Sequence, residues 1–169
     1  IDLYQSQNHI KSSFKTNLIY VLLATISDVM PLRGINRLLV INVLKNFDVN
    51  ENFIIKNIFK FSNINKRIQC DDLGYVIGPI LNSAGRIDNA NQVVKLLTST
   101  SKKEILGIIE KLFYFNAKRK KIEARILNEI DLNSIDKNKG IICIYLPNIS
   151  EGIIGIIASR IKEQFNKPC

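Results

Sequence analysis

Between residues 101 and about 130 the chain carries one long amphipathic stripe, and no other feature restricts the possible folds as much. Ser101-Lys102-Lys103-Glu104 has the form of a capping box: a hydroxyl at the cap and a carboxylate three positions on. Ile105, Ile109, Leu112, Ile122, Ile126 and Ile130 then recur at helical spacing. At about 1.5 Å per residue such a helix is roughly 45 Å long, which is long for a globular protein. Helices of this kind often connect two lobes. The 169 residues suffice for one ordinary domain or two small incomplete ones.

Shorter elements precede the long one. Residues 18–26 are almost continuously apolar and predict a buried helix, stopped by Ser27-Asp28-Val29-Met30-Pro31. Residues 36–47 have helical spacing through Leu38, Leu39, Ile41, Val43 and Leu44, and residues 53–61 form a second amphipathic stretch. Residues 63–69 are polar and predict a loop. A helix can start at Asp71, but Gly78-Pro79 predicts a break or kink. A segment of small residues follows at 81–90, then a helix at 89–97. After the long helix, residues 131–139 are a polar linker. Ile141 to Leu146 lie between Gly140 and Pro147 and predict a buried strand, and residues 152–165 predict a helix. The expected fold is mostly α-helical, with one or two strands of a larger α/β architecture. Ile1 at the start and Cys169 directly after Lys167-Pro168 read as cuts in a longer chain.

Composition narrows the function classes. At 46% hydrophobic residues a core can form. The longest apolar run is too short to span a bilayer, and no leader-like segment opens the chain. Cys70, Cys143 and Cys169 are odd in number and widely spaced, which fits reduced cytoplasmic thiols better than a disulfide framework or a zinc site. His9 is the single histidine, so a His-rich metal site is excluded. The net charge of +9 suggests a polyanionic partner. It must be discounted, because Ile, Asn and Lys are abundant together, as in proteins of AT-rich genomes. Against that lysine background, Arg33, Arg37, Arg67, Arg86, Arg119, Arg125 and Arg160 stand out, since arginine brings a planar fork.

Four places bear chemistry. Asp28 follows a very apolar helix and is expected to be partly buried, where a metal would offset the cost of its charge; the local sequence by itself favours a turn cap. In Asn82-Ser83-Ala84-Gly85-Arg86, small residues let a ligand approach the backbone and Arg86 can fork onto a phosphate. An ordinary turn with an exposed arginine explains that segment equally well. Gly152-Ile153-Ile154-Gly155, leading to Ser159 and Arg160, can open an anion-binding helix or can serve tight helix–sheet packing, and packing is the simpler account. Lys118-Arg119-Lys120-Lys121 could touch a nucleic-acid backbone, but a solvated helix face is the simpler account.

The order and spacing of these segments carry more than any one of them. Ala24-Thr25-Ile26-Ser27-Asp28-Val29-Met30-Pro31-Leu32 with Asn36-Arg37 resembles a segment of the RecJ exonucleases. Ile77-Gly78-Pro79-Ile80-Leu81-Asn82-Ser83-Ala84-Gly85-Arg86-Ile87 resembles the next signature of that family. Phe115-Asn116 through Ile122-Glu123 is similar to its connecting helix, and Gly152 to Arg160, then Pro168, to the opening of its DHH-associated domain. The resemblance implies a metal-dependent enzyme that degrades single-stranded DNA from the 5′ end in recombination and repair, with Mn2+ or Mg2+ as cofactor. It implies that residues 1–100 are the later part of a catalytic lobe, 101–134 a connecting helix, and 135–169 the first part of the DHH-associated domain. Asp28 would be a metal ligand, and Asn82, Arg86, Ser159 and Arg160 would meet the DNA.

This sequence departs from the family pattern in three ways. The Asp-His-His segment and the other upstream aspartates are missing, the Gly-rich, His-containing end of the associated domain is missing, and Ser150 stands where the family usually has His. The isolated chain is therefore expected to be inactive, with the missing upstream part of the enzyme as its possible partner. Two alternatives remain: another DHH phosphoesterase acting on short RNAs or cyclic dinucleotides, and a non-catalytic remnant that binds nucleic acid.

Overall fold

The computed structural model describes residues 14–132, 135 and 139–169, with side chains from residue 17 onward. His9 and part of the 131–139 linker lie outside these residues. The described chain is mostly helical, as its patterning predicts, and divides into two compact units. The first ends at Pro79 and the second spans Ile80–Cys169.

In the first unit, α1 (Phe14–Ser27) buries Ile19, Leu22 and Leu23. Helix α2 (Gly34–Asn46) follows a short turn and buries only Val43, leaving Leu38 and Ile41 exposed despite their helical spacing. A single 3₁₀ turn, Val49–Glu51, leads into α3 (Phe53–Phe61), which buries Ile54, Ile55, Ile58 and Phe59 along one stripe. Burying each such side chain contributes about 1.5–3 kcal/mol. Asn52 fixes the start of α3: its side-chain carbonyl accepts from the Ile55 N–H at 3.0 Å and its amide donates to the Tyr20 hydroxyl at 2.9 Å, tying the cap to α1.

The expected break at Gly78-Pro79 does not occur. The backbone runs as a π-helical segment over Asp72–Ile77 and continues directly into α4 (Gly78–Ile87). A proline inside an α-helix clashes with the carbonyl four residues back and lacks the N–H to bond it. Widening the preceding turn relieves both problems; the Gly78 N–H accordingly reaches the Leu73 carbonyl, five residues back. Gly78 is required on a second count, because a Cβ there would lie 2.8 Å from the Ser27 hydroxyl oxygen of α1.

In the second unit, α5 (Asn91–Thr98) precedes α6 (Lys102–Glu129), the long helix, which at 28 residues extends about 42 Å. Ser101 caps it, with Oγ accepting from the Glu104 N–H at 3.4 Å. The reciprocal half of the capping box is rerouted. Glu104 takes Lys95 at 2.8 Å and the Ser99 hydroxyl, and the Ser101 N–H goes to Ser99 Oγ at 3.2 Å instead. The first half of α6 buries Ile105, Ile108, Ile109, Leu112 and Phe115. Its second half shares a core of Ile126, Ile142, Ile153, Ile157 and Ile161 with α7 (Glu151–Phe165).

The strand expected at Ile141 to Leu146 is not formed among the described residues. Burial alternates as in a strand, with Ile142 inside and Ile141, Cys143 and Tyr145 outside. A strand needs a ladder, however, and here one backbone bond, from the Ile142 N–H to the Pro168 carbonyl at 2.9 Å, is the tie to a distant segment. The thiols at 70, 143 and 169 are all free. Cys143 and Cys169 line one groove, a proximity their sequence spacing did not suggest. No helix of the described residues is long and apolar enough to cross a membrane.

Candidate nucleic-acid interface

Asp28 is exposed rather than partly buried. The apolar run predicts burial for α1 itself, whereas Asp28 lies one residue past its end, where the chain turns outward. The turn is a Schellman motif: the Met30 N–H reaches the Thr25 carbonyl and the Val29 N–H reaches the Ile26 carbonyl, both at 3.0 Å. Val29 takes the left-handed position, with φ 55°, that glycine normally fills. The Asp28 carboxylate makes no hydrogen bond or ion pair with the described residues, so it does not serve as a cap.

The segment Asn82 to Arg86 is helical, not a turn, because it continues α4. Asn82 and Gly85 face outward, while Ser83 is fully buried, with its hydroxyl 2.6 Å from the Ile80 carbonyl and 3.2 Å from that of Leu112. The small residues at 83 and 84 thus serve packing under α6. Arg86 is half-buried at the end of α4, and its Nη1 donates to the Gly152 carbonyl at 2.8 Å. Gly152 in turn sits against the Arg86 backbone so closely that a Cβ would lie 2.8 Å from both the Cα and the carbonyl oxygen. The close approach anticipated at Gly152 is therefore real, but it joins a helix end to a helix start rather than a helix to a sheet. Gly155 has open space around it.

Ser159 and Arg160 are both exposed on α7. Arg160 Nε donates to Glu123 Oε1 at 3.0 Å, and Arg119 Nη1 donates to Glu123 Oε2 at 3.2 Å. Arg119 is further held by Asn116 Oδ1, at 3.1 and 3.3 Å. One buried carboxylate on α6 thus orients two guanidiniums from two helices. The hydrogen bond it donates to Glu123 pushes the Arg160 guanidinium upward from its ordinary range. Burial pushes Arg119 downward against the pull of Glu123, and the charges of Arg86 and Arg160 push the same way as burial. Arg160 Nη1 also lies 3.5 Å from Glu163 Oε2, an exposed pair within α7. Sequence reasoning missed Glu123. Its one visible signal was a charged residue inside the apolar stripe of α6. In the basic run, Lys118, Lys120 and Lys121 are solvated as expected, but Arg119 turns inward.

No family model matches the chain. Its fold is that of part of a RecJ structure. RecJ of Thermus thermophilus in complex with Mn2+ superposes with a TM-score of 0.83 at 23% identity, over 96% of this chain and 24% of that one. An exonuclease RecJ bound to manganese gives 0.80 at 24% identity, over 96% and 41%. In sequence the chain is RecJ-like as well, and its curated relatives are single-stranded-DNA-specific exonucleases of that name. That of Salmonella typhimurium is 35% identical over 88% of this chain and 27% of its own length. That of Haemophilus influenzae is 34% identical over 92% and 28%. The chain thus spans about a quarter of the length of the curated relatives it matches.

The residues in hand do not by themselves fit a catalytic metal centre. Among the described residues no three His, Cys, Asp or Glu side chains gather where they could hold an ion. An exposed carboxylate at 28 can offer one oxygen ligand, which suits Mn2+ or Mg2+ but cannot hold either alone.

Proposed function

We propose that this chain is part of a metal-dependent 5′–3′ exonuclease of the DHH superfamily that hydrolyses single-stranded DNA in recombination and repair in the cytoplasm. The observation that carries the reading is the RecJ likeness, which holds in sequence and fold over most of the chain. In this reading the chain does not cut by itself. Residues 1–100 finish a catalytic lobe, 101–134 connect it, and 135–169 begin the associated domain. The unpartnered Asp28 carboxylate contributes one ligand to a Mn2+ or Mg2+ centre whose other ligands come from elsewhere. Bound there, such an ion would activate water and stabilise the leaving oxygen.

The chain's own residues hold the strand. Arg160, oriented by Glu123, and Arg86, anchored on the Gly152 carbonyl, present guanidinium edges to phosphodiester oxygens, with Ser159 and Asn82 as neutral donors. Such contacts are tolerant of sequence and sensitive to salt. A non-catalytic nucleic-acid-binding remnant is the second reading, and it is favoured by the isolation of Asp28 from other ligand side chains among the described residues.

A complementation assay separates the two. The purified chain is mixed with Mn2+, labelled single-stranded DNA and a polypeptide bearing the Asp-His-His segment of a RecJ relative. The chain alone is expected to leave the DNA intact, and the mixture to shorten it from the 5′ end. Stable association without cleavage would favour the remnant.

A further inference from the structure

The long helix carries two cations that the reading above does not use. Lys118 and Arg125 stand seven residues apart on α6, which places them on one face about two turns from each other. Together with Arg86 they line a cavity of about 230 Å³, completed on its polar side by Asn148 and Ser150 and floored by isoleucines. Among the described residues no acidic side chain lines it. Its cations differ in freedom. Arg86 is pinned by the Gly152 carbonyl, while Lys118 is solvated and Arg125, among the described residues, pairs with exposed Glu129 at 3.6 Å, a contact worth little. One fixed guanidinium flanked by two exposed cations and a hydroxyl suits a tetrahedral dianion or diester, and a space of several water volumes admits one phosphate with part of its hydration shell.

We infer that this cleft is a phosphate-binding site of the chain, and that Lys118 and Arg125 hold a backbone phosphate of the single strand beyond those met by Arg160 and Ser159. The inference rests on the single-stranded-DNA reading for its ligand but not for its chemistry. The cleft also gives Ser150 a part. A side chain this small leaves the cavity open, and its hydroxyl lies 3.5 Å from the Arg86 carbonyl.

Two measurements on the whole chain test it. The first follows amide and arginine side-chain resonances during titration with inorganic phosphate, against chloride at equal ionic strength. Shifts at Arg86, Lys118 and Arg125 with phosphate alone are expected. The second measures single-stranded-DNA affinity against salt for the wild type, K118A/R125A, and K120A/K121A. The last removes equal charge from exposed positions of the same helix that do not line the cleft. The slope of log affinity against log salt should fall by about 1.4 in K118A/R125A, at about 0.7 per lost contact, and by clearly less in the control. Equal slope changes in both variants, or none in K118A/R125A while the wild type binds, would overturn the cleft and leave the DNA reading standing. If the wild type binds no DNA, that reading fails and the phosphate titration decides alone: shifts at the three residues sustain an anion site, and their absence ends it.

Discussion

Val29 holds a left-handed conformation on a β-branched residue while its side chain is 86% exposed, so nothing it packs against compensates the strain. That conformation costs an L-residue about 1–2 kcal/mol. Val29→Gly should therefore raise stability by about 1 kcal/mol, after the added freedom of the unfolded chain is subtracted. A urea midpoint at or below that of the wild type would mean that the turn after α1 is built differently. Glu123 is the opposite case, a residue whose removal leaves two guanidiniums facing each other. Glu123→Gln takes the anion from between Arg119 and Arg160 and should cost about 2 kcal/mol, less than a fully buried pair because Arg160 is 56% exposed. Combining it with Arg160→Ala should give less than the sum of the two losses; strict additivity would deny the coupling. Neither residue was legible beforehand. A turn of this kind announces itself through glycine, which is absent here. The partners of Glu123 are Arg119 one turn away and Arg160 on another helix, and spacing alone does not select them. Asp28 was misplaced for a related reason, because apolar patterning predicts the burial of a helix and not of the residue just past its end.

At the scale of elements, the two glycines that open α7 look alike in sequence and differ in consequence. Gly152→Ala drives a methyl into the Arg86 backbone and should destabilise by about 1–3 kcal/mol, since neither side can give way. Gly155→Ala meets open space and should stabilise by nearly 1 kcal/mol through helix propensity. Thermal unfolding of the two variants checks both signs, and a shared sign would contradict the docking of α4 on α7. The start of α6 makes a pH prediction. Lys95, and then the Ser99 hydroxyl, hold the Glu104 carboxyl below its ordinary value. A depressed carboxylate contributes stability that is present above its unfolded pKa, near 4.3, and is lost as pH falls through the folded value. Glu104→Gln should thus lower stability at neutral pH and converge on the wild type in acid; a constant difference across that range would exclude the linkage. The helices α1, α2, α3, α5, α6 and α7 were legible as apolar runs or helical periods in the sequence. The π-helical entry to α4 was not. Gly78-Pro79 reads locally as a stop, and only the widened turn before it shows how the helix continues.

The molecule as a whole is legible in class and illegible in completeness. A 28-residue helix with distinct cores along its two halves was visible as a stripe of isoleucine and leucine. The segment at 141–146 shows a strand's alternation without a ladder, since pairing depends on a neighbour that no local pattern supplies. The chemistry follows the same division. Guanidiniums gathered around one carboxylate can hold a phosphate backbone, whereas one exposed carboxylate at 28 cannot hold a metal. Binding and cleavage are thereby separable, and we propose only binding for this chain. Fluorescence anisotropy of a labelled oligonucleotide, titrated with the chain from low to moderate salt without divalent metal, tests that most directly. The account predicts affinity for single strands of unrelated sequence that falls steeply with salt, and a shallower slope for Arg160→Ala. No affinity at low salt, or an affinity indifferent to salt, would contradict it.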